Sequence, residues 1–157
     1  MSSLTDGVDS HQSIRTVEVD LSPSAGRYLT GIYWLFRTDG GPVRTGDLGA
    51  YLDVNPASVT EMFSKLADHS LIEYEKHCGA TLTEVGELVA TSFARRQCIV
   101  TQFFCSVLGA ELDRETAYDI GQQLPENGIR RLYEHIDDPC VHQCEVRAHP
   151  AEICLAT

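Results

Sequence analysis

TGDLGAYLDVNPASVTEMFSKLADHSLIEYEKHCGATLT, residues 45–83, reads as helix, tight turn, helix and short β-hairpin. The second helix has a compact start signal. Asn55 suits the N-cap, where its side chain can accept from an orphan backbone N–H, and Pro56 at the first helical position gives up no hydrogen bond. Val59, Met62, Phe63 and Leu66 then recur at helical period as one apolar stripe. Opposite them stand Ser58, Thr60, Glu61, Ser64 and Lys65, polar side chains long enough to reach a base edge or a phosphate. The preceding helix, residues 45–52, offers Leu48 and Leu52 to a core. Asp53, Val54 and Asn55 form the short link that a helix-turn-helix requires. Residues 71–75 alternate apolar and polar, Lys76-His77-Cys78-Gly79 makes a turn, and residues 80–82 pair back. A hairpin directly after a recognition-type helix predicts a wing. The bland alternative is two packed core helices with an incidental hairpin.

Working outward, Ser22-Pro23 repeats the cap-plus-proline signal. The helix that follows carries a wide apolar face of Tyr28, Leu29, Ile32, Tyr33, Leu35 and Phe36. It ends at Asp39-Gly40-Gly41-Pro42 and completes a three-helix core behind the motif. Downstream, Thr83 is a cap for a long helix with apolar positions Val85, Leu88, Val89, Phe93, Ile99, Val100, Phe103, Phe104, Val107 and Leu108, stopped by Gly109. That is more helix than a winged domain needs, and it reads as a connector.

A second unit follows. Residues 113–123 form a short amphipathic helix with Ala117 and Ile120, Leu124-Pro125 restarts the chain, and Ile129, Leu132, Tyr133 and Ile136 make another stripe. Two such helices cannot bury their faces alone. Packing against a second copy predicts a homodimer whose two-fold axis matches a palindromic operator. The alternative is that both fold back on the long helix within one chain. The resulting division is a tail at 1–21, a winged helix-turn-helix at 22–83, a connector and dimerisation region at 84–136, and a Cys/His-containing tail at 137–157. The fold class is mainly α with a small β-hairpin wing.

Composition narrows the setting. The chain has 157 residues, 43% hydrophobic, without an apolar run of membrane-spanning length or a secretory signal. A cytoplasmic protein with no membrane partner is expected. Six cysteines then read as thiols, metal ligands or redox sensors rather than a disulfide framework. The formal charge is −11, from 23 acidic and 12 basic residues, and Lys65 and Lys76 are the sole lysines. This is the composition of a salt-loving, archaeal cytoplasm, a surface kept hydrated by its charge. It also works against nucleic acid. Phosphate contacts draw their free energy from counterion release, and with roughly six contacts molar salt removes several orders of magnitude of affinity. Base contacts, apolar contacts and shape must carry more of the binding.

Three stretches point further: RYLTGIYWLF (27–36), VNPASVTEMFSKLADHSLIEYE (54–75) and GATLTEVGELVA (79–90), with a weaker continuation through QFFCSVLG (102–109). In these the chain resembles the metal-dependent repressors of the DtxR/MntR family, which includes the diphtheria toxin repressor and the manganese repressor. The resemblance runs in order over about 24–136. It implies a transcriptional regulator, a repressor, that binds double-stranded DNA. Ala57, Ser58, Thr60, Glu61, Ser64 and Lys65 would face the major groove, Lys76 and His77 would touch backbone or minor groove, and Arg44 would hold a phosphate. It also implies a Mn²⁺ or Fe²⁺ site between the first helix, the connector and the dimerisation helices. The aligned ligand positions are Arg27 and Thr30, Gln97, and Tyr118, Gly121 and Gln122. None of these replaces a carboxylate or imidazole for a hard divalent ion, so the family's sensing site is expected to be lost.

Cysteine chemistry is the candidate signal in its place, through either a transition metal ion (zinc, iron or manganese) or oxidation. Cys98 and Cys105 share one face of the connector, and Arg95 and Arg96 would favour a Cys98 thiolate if they lie near it. The readings are a redox or soft-metal sensor, or two small buried apolar residues. Cys78 beside His77 is an oxidisable thiol at the wing tip or a plain turn residue. In the tail, Cys140, His142, Cys144 and Cys154, with His149 nearby, have spacing suited to a tetrahedral metal. A reversible disulfide and incidental thiols remain open there. No phosphate loop, nucleophile elbow or HExxH supports an enzyme, and Glu126, Asp137 and Asp138 read as solvated caps and turns. Two other functions stay open: a metalloregulator using the family cleft with Cys98, and a winged-helix protein-interaction module without direct DNA binding.

Overall fold

The computed structural model describes residues 21–136, which form six α-helices and one two-stranded sheet. In chain order these are α1 (Pro23–Asp39), α2 (Thr45–Leu52), α3 (Pro56–Asp68), β1 (Ile72–Glu75), β2 (Gly79–Leu82), α4 (Glu84–Ser106), α5 (Arg114–Gln123) and α6 (Glu126–Glu134). Four helix starts follow from side-chain caps. The Ser22 hydroxyl accepts from Ala25 N–H, Asn55 Oδ1 from Ala57 N–H, Thr83 Oγ1 from Gly86 N–H and Asp113 from Thr116 N–H. Each satisfies a donor that the helix leaves without a partner. The turn between α2 and α3 is closed by Asp53 in the left-handed region at φ 55°, with Val54 N–H donating to Gly49 O at 2.9 Å.

The first core gathers Leu29, Ile32 and Tyr33 from α1, Leu48 from α2, Val59, Phe63 and Leu66 from α3, and Leu71 and Ala80 from the wing. Each large apolar side chain there contributes roughly 1.5–3 kcal/mol. Trp34 is buried in this core, whereas Phe36, expected inside, is 41% exposed. The hairpin pairs Ile72 with Leu82 and Glu75 with Gly79. Gly79 is therefore a strand residue, and the turn is Lys76, His77 and Cys78. Its φ of 115° and its approach to Val43 explain the residue type, because a Cβ there would fall 2.6 Å from Val43 O. Val43 and Ala80 exchange both backbone hydrogen bonds, at 2.9 and 2.8 Å, so the wing is backed by the segment before α2. Leu71 and Ile72 are both buried, which breaks the alternation expected at 71–75.

α4 serves two cores. Its first half buries Val89, Ala90 and Ala94 in the first, and Ile99 and Val100 anchor the second with Ala117, Ile129 and Ile136. Val85, Leu88, Val107 and Leu108, read as part of its apolar face, are exposed. The inner face is built from smaller side chains that let neighbouring elements approach. α5 and α6 fold back on α4 within one chain. Ile129 and Ile136 are buried there, while Ile120, Leu124, Leu132 and Tyr133 stay half-buried, so the fold-back covers these faces only in part.

Candidate nucleic-acid interface and the cleft behind it

Burial of Val59, Phe63 and Leu66 turns the opposite side of α3 to solvent. Ala57, Ser58, Thr60, Glu61, Ser64 and Lys65 are all exposed, as are Arg44 at the start of α2 and Lys76 and His77 at the wing tip. All nine residues expected at a DNA surface are therefore open to solvent. Thr60 Oγ1 donates to Pro56 O and Ser64 Oγ to Thr60 O, both at 3.2 Å. Each hydroxyl spends its proton on the helix and keeps lone pairs to accept from a base amine. Lys65 lies 3.7 Å from Glu61 one turn away, an exposed pair that costs little to exchange for a phosphate. Phe63 packs against Tyr74 with ring centroids 5.1 Å apart, which couples the helix to the wing.

Behind this surface lies a cleft of about 600 Å³ between α1, α2, α4 and α5. Arg27, Thr30, Gln97 and Tyr118, four of the six positions where the resemblance places metal ligands, line it. Its walls are joined by a network of the chain's own groups. Arg27 Nη2 donates to Asp119 Oδ1 at 2.7 Å, and Nη1 lies 3.1 Å from Glu115 Oε1. The Arg27 guanidinium also sits 5.8 Å from the Tyr118 ring centre. The hydrogen bond to Asp119 holds the Arg27 guanidinium even more firmly protonated than usual. Burial pushes the Tyr118 hydroxyl up to about 12, against the opposing charge of Arg27. Trp34 Nε1 donates to Gln97 Oε1 at 3.1 Å, and Gln97 Nε2 donates to Arg114 O at 3.0 Å. The Arg114 guanidinium stacks 4.0 Å over Tyr51 of α2. Thr30 Oγ1 donates to Gly26 O at 2.8 Å. Apart from the local Thr30 bond, these links join residues far apart along the chain, and no local pattern marks them.

The fold agrees with known proteins. The family profile described as iron dependent repressor, N-terminal DNA binding domain, matches residues 20–80. An HTH-type transcriptional regulator of Methanocaldococcus jannaschii is 33% identical over 97 residues, 62% of this chain and 76% of that protein. The HTH-type transcriptional regulator MntR of Bacillus pumilus is 33% identical over 115 residues, 71% of this chain and 77% of its own length. The chain belongs to the DtxR/MntR family of DNA-binding transcriptional regulators. Among solved structures, the manganese regulator SloR superposes with a TM-score of 0.61 at 25% identity, over 73% of this chain and 54% of that one. The chain thus spans about half the length of that family member.

The donor set does not fit a hard divalent ion such as the manganese of the regulator SloR. A guanidinium, a hydroxyl, a carboxamide and a phenol line the aligned positions, and a hard cation needs carboxylate or imidazole donors there. Among the described residues no three His, Cys, Asp or Glu side chains converge on one point. Cys98 packs beside the second core rather than lining the cleft. The Arg96 guanidinium is committed elsewhere, to Gly121 O, Leu124 O and Glu126, each at 2.8 Å. Glu126 is therefore an ion-pair partner rather than a plain solvated cap. Cys98 and Cys105 lie seven residues apart on one helix, about 10 Å by helical rise, too far to bond to each other. Cys78 is exposed at the wing tip. The tail residues Cys140, His142, Cys144, His149 and Cys154, with Asp137 and Asp138, lie outside the described residues. No helix among those described is long and apolar enough to cross a membrane.

Proposed function

We propose that this regulator is a repressor that inserts α3 in the major groove of a palindromic operator as a homodimer in the cytoplasm. The observation that carries the reading is the face of α3, whose six polar or small side chains are all exposed opposite the buried Val59, Phe63 and Leu66. Thr60, Ser64 and Ser58 are assigned to base edges, Lys65 and Arg44 to phosphates, and Lys76 and His77 to the wing's backbone contact. The division into a DNA-binding part up to residue 83 and a connector with dimerisation region is part of the same proposal. The exposed Val107 and Leu108 at the end of α4 supply the apolar surface that a second copy would cover. No catalytic role is assigned. Cysteine chemistry in the tail or on α4, with zinc, iron or an oxidant, is proposed as the signal. Elemental analysis of the full chain with its cysteines intact and replaced tests that part.

Footprinting and mobility shifts at molar potassium test the DNA assignment. Lys65→Ala should weaken binding on all duplexes and lower the salt slope by about one contact. Thr60→Ala should relax preference at one position per half-site. Unchanged affinity and footprint in both variants would remove α3 from the interface. A full chain that shifts no duplex would favour the protein-interaction module.

A further inference from the structure

We infer that Arg27 is a built-in cation: its guanidinium ties α1 to α5 across the cleft, so that this chain holds its DNA-binding geometry without a divalent ion. The inference rests on the DNA-binding reading above for its consequence, but its structural content is independent of it.

Three observations carry it. A cation is already supplied at the cleft, and it offsets one of the two carboxylate charges that face it. Glu115 and Asp119 stand one turn apart on α5, on one face of the helix, and the two terminal nitrogens of Arg27 meet one carboxylate each, at 3.1 and 2.7 Å. A planar fork is suited to bridging two carboxylates in this way. An incoming divalent ion would meet a like charge, and it would have to displace Arg27 from both partners before it could use them.

The cleft is shaped for this contact. Gly26, one residue before Arg27, has no side chain, and a Cβ there would collide with the Tyr118 hydroxyl. The Tyr118 ring can therefore lie against α1 under the guanidinium.

Three further polar side chains of the cleft are engaged with the chain. Gln97 spends its oxygen on Trp34 and its nitrogen on Arg114, Thr30 bonds to Gly26, and Arg114 stacks on Tyr51. α1, α2, α4 and α5 are thus joined at one place by internal bonds. A fixed cation is present at every ion concentration, so the link answers to ionic strength and not to metal supply.

The test is amide hydrogen exchange of the full chain, with and without chelator and with added Mn²⁺, alongside a titration of free Mn²⁺ by electron paramagnetic resonance. The wild-type chain should show the same α5 exchange in every condition and no stoichiometric uptake of Mn²⁺. Arg27→Ala should speed α5 exchange about tenfold, the combined loss of two partly exposed ion pairs and a ring contact, and leave α3 unchanged. Arg27→Lys should fall between. If Arg27→Ala does not fold, Asp119→Asn gives the same readout from the other side. Stoichiometric Mn²⁺ uptake with slowed α5 exchange overturns the inference, and so does unchanged α5 exchange in these variants. A chain that passes this test yet binds no duplex leaves the clamp standing and removes the DNA reading.

Discussion

The indole N–H of Trp34 donates to the side-chain oxygen of Gln97 at 3.1 Å, across 63 residues of chain. With the second bond from Gln97 to Arg114 O, one carboxamide joins the first helix of the DNA-binding part to α4 and α5. Gln97 is 9% exposed, so water replaces neither bond easily. Gln97→Leu should lower stability by about 1–3 kcal/mol, because a buried donor and acceptor lose their designed partner. Urea unfolding followed by Trp fluorescence checks this. An unchanged midpoint would mean the two units are not joined through this residue.

Phe63 is fully buried and touches Tyr74 of the wing. Phe63→Ala should cost about 3–5 kcal/mol, a large share of the stability of a domain this size. Thermal and urea melts should shift together. A loss below about 1 kcal/mol would mean that α3 is not anchored to the wing as described.

Asp113 predicts a pH dependence. Its carboxylate accepts from the Thr116 N–H at 2.8 Å and from the Thr116 hydroxyl at 3.0 Å, which holds it below the usual aspartate range. A carboxylate depressed in the folded state stabilises above its unfolded pKa, and that contribution is lost as pH falls through the folded value. Asp113→Asn keeps a capping oxygen but does not titrate. The wild type should therefore lead the variant at neutral pH, and the lead should shrink below about pH 4. Parallel urea melts from neutral to acid pH read the difference. A lead that grows in acid contradicts the assignment.

The end of α4 tests the assembly. Leu108 is 57% exposed and Val107 46%, beside the half-buried, edge-packed rings of Phe103 and Phe104. Leu108→Glu should shift the chain toward monomer in sedimentation velocity, with little change in thermal stability at low concentration. A wild-type chain that sediments as a monomer at all concentrations would remove the homodimer.

Much of the fold was legible because its signals are local. Ser22-Pro23, Asn55-Pro56 and Thr83 each mark a helix start by a side chain that caps the next turn, and the structure places the caps there. The Asp113 cap is not among them, since Asp113 reads in the sequence as the first residue of its helix. The exposed face of α3 follows from the stripe of Val59, Phe63 and Leu66. Long-range relations were not legible. Val85 and Leu88 continue an apolar period, yet they face solvent, because the inner side of α4 uses Gly86, Val89 and Ala90 to let Leu71 approach. The retreat of α5 and α6 onto α4 depends on tertiary packing that periodicity does not encode. The pairing of Arg27 with Asp119 spans 92 residues, and neither residue stands out within its own helix. The resemblance marked Arg27 only as a missing ligand, and the structure adds what the residue does there.

Selection from a randomised duplex pool in molar potassium chloride, with the full chain and with Thr60→Ala, tests the central claim most directly. The wild-type chain should enrich a two-fold symmetric sequence with half-sites about one helical turn apart, and Thr60→Ala should relax one position in each half. A wild-type chain that enriches no sequence would contradict the account.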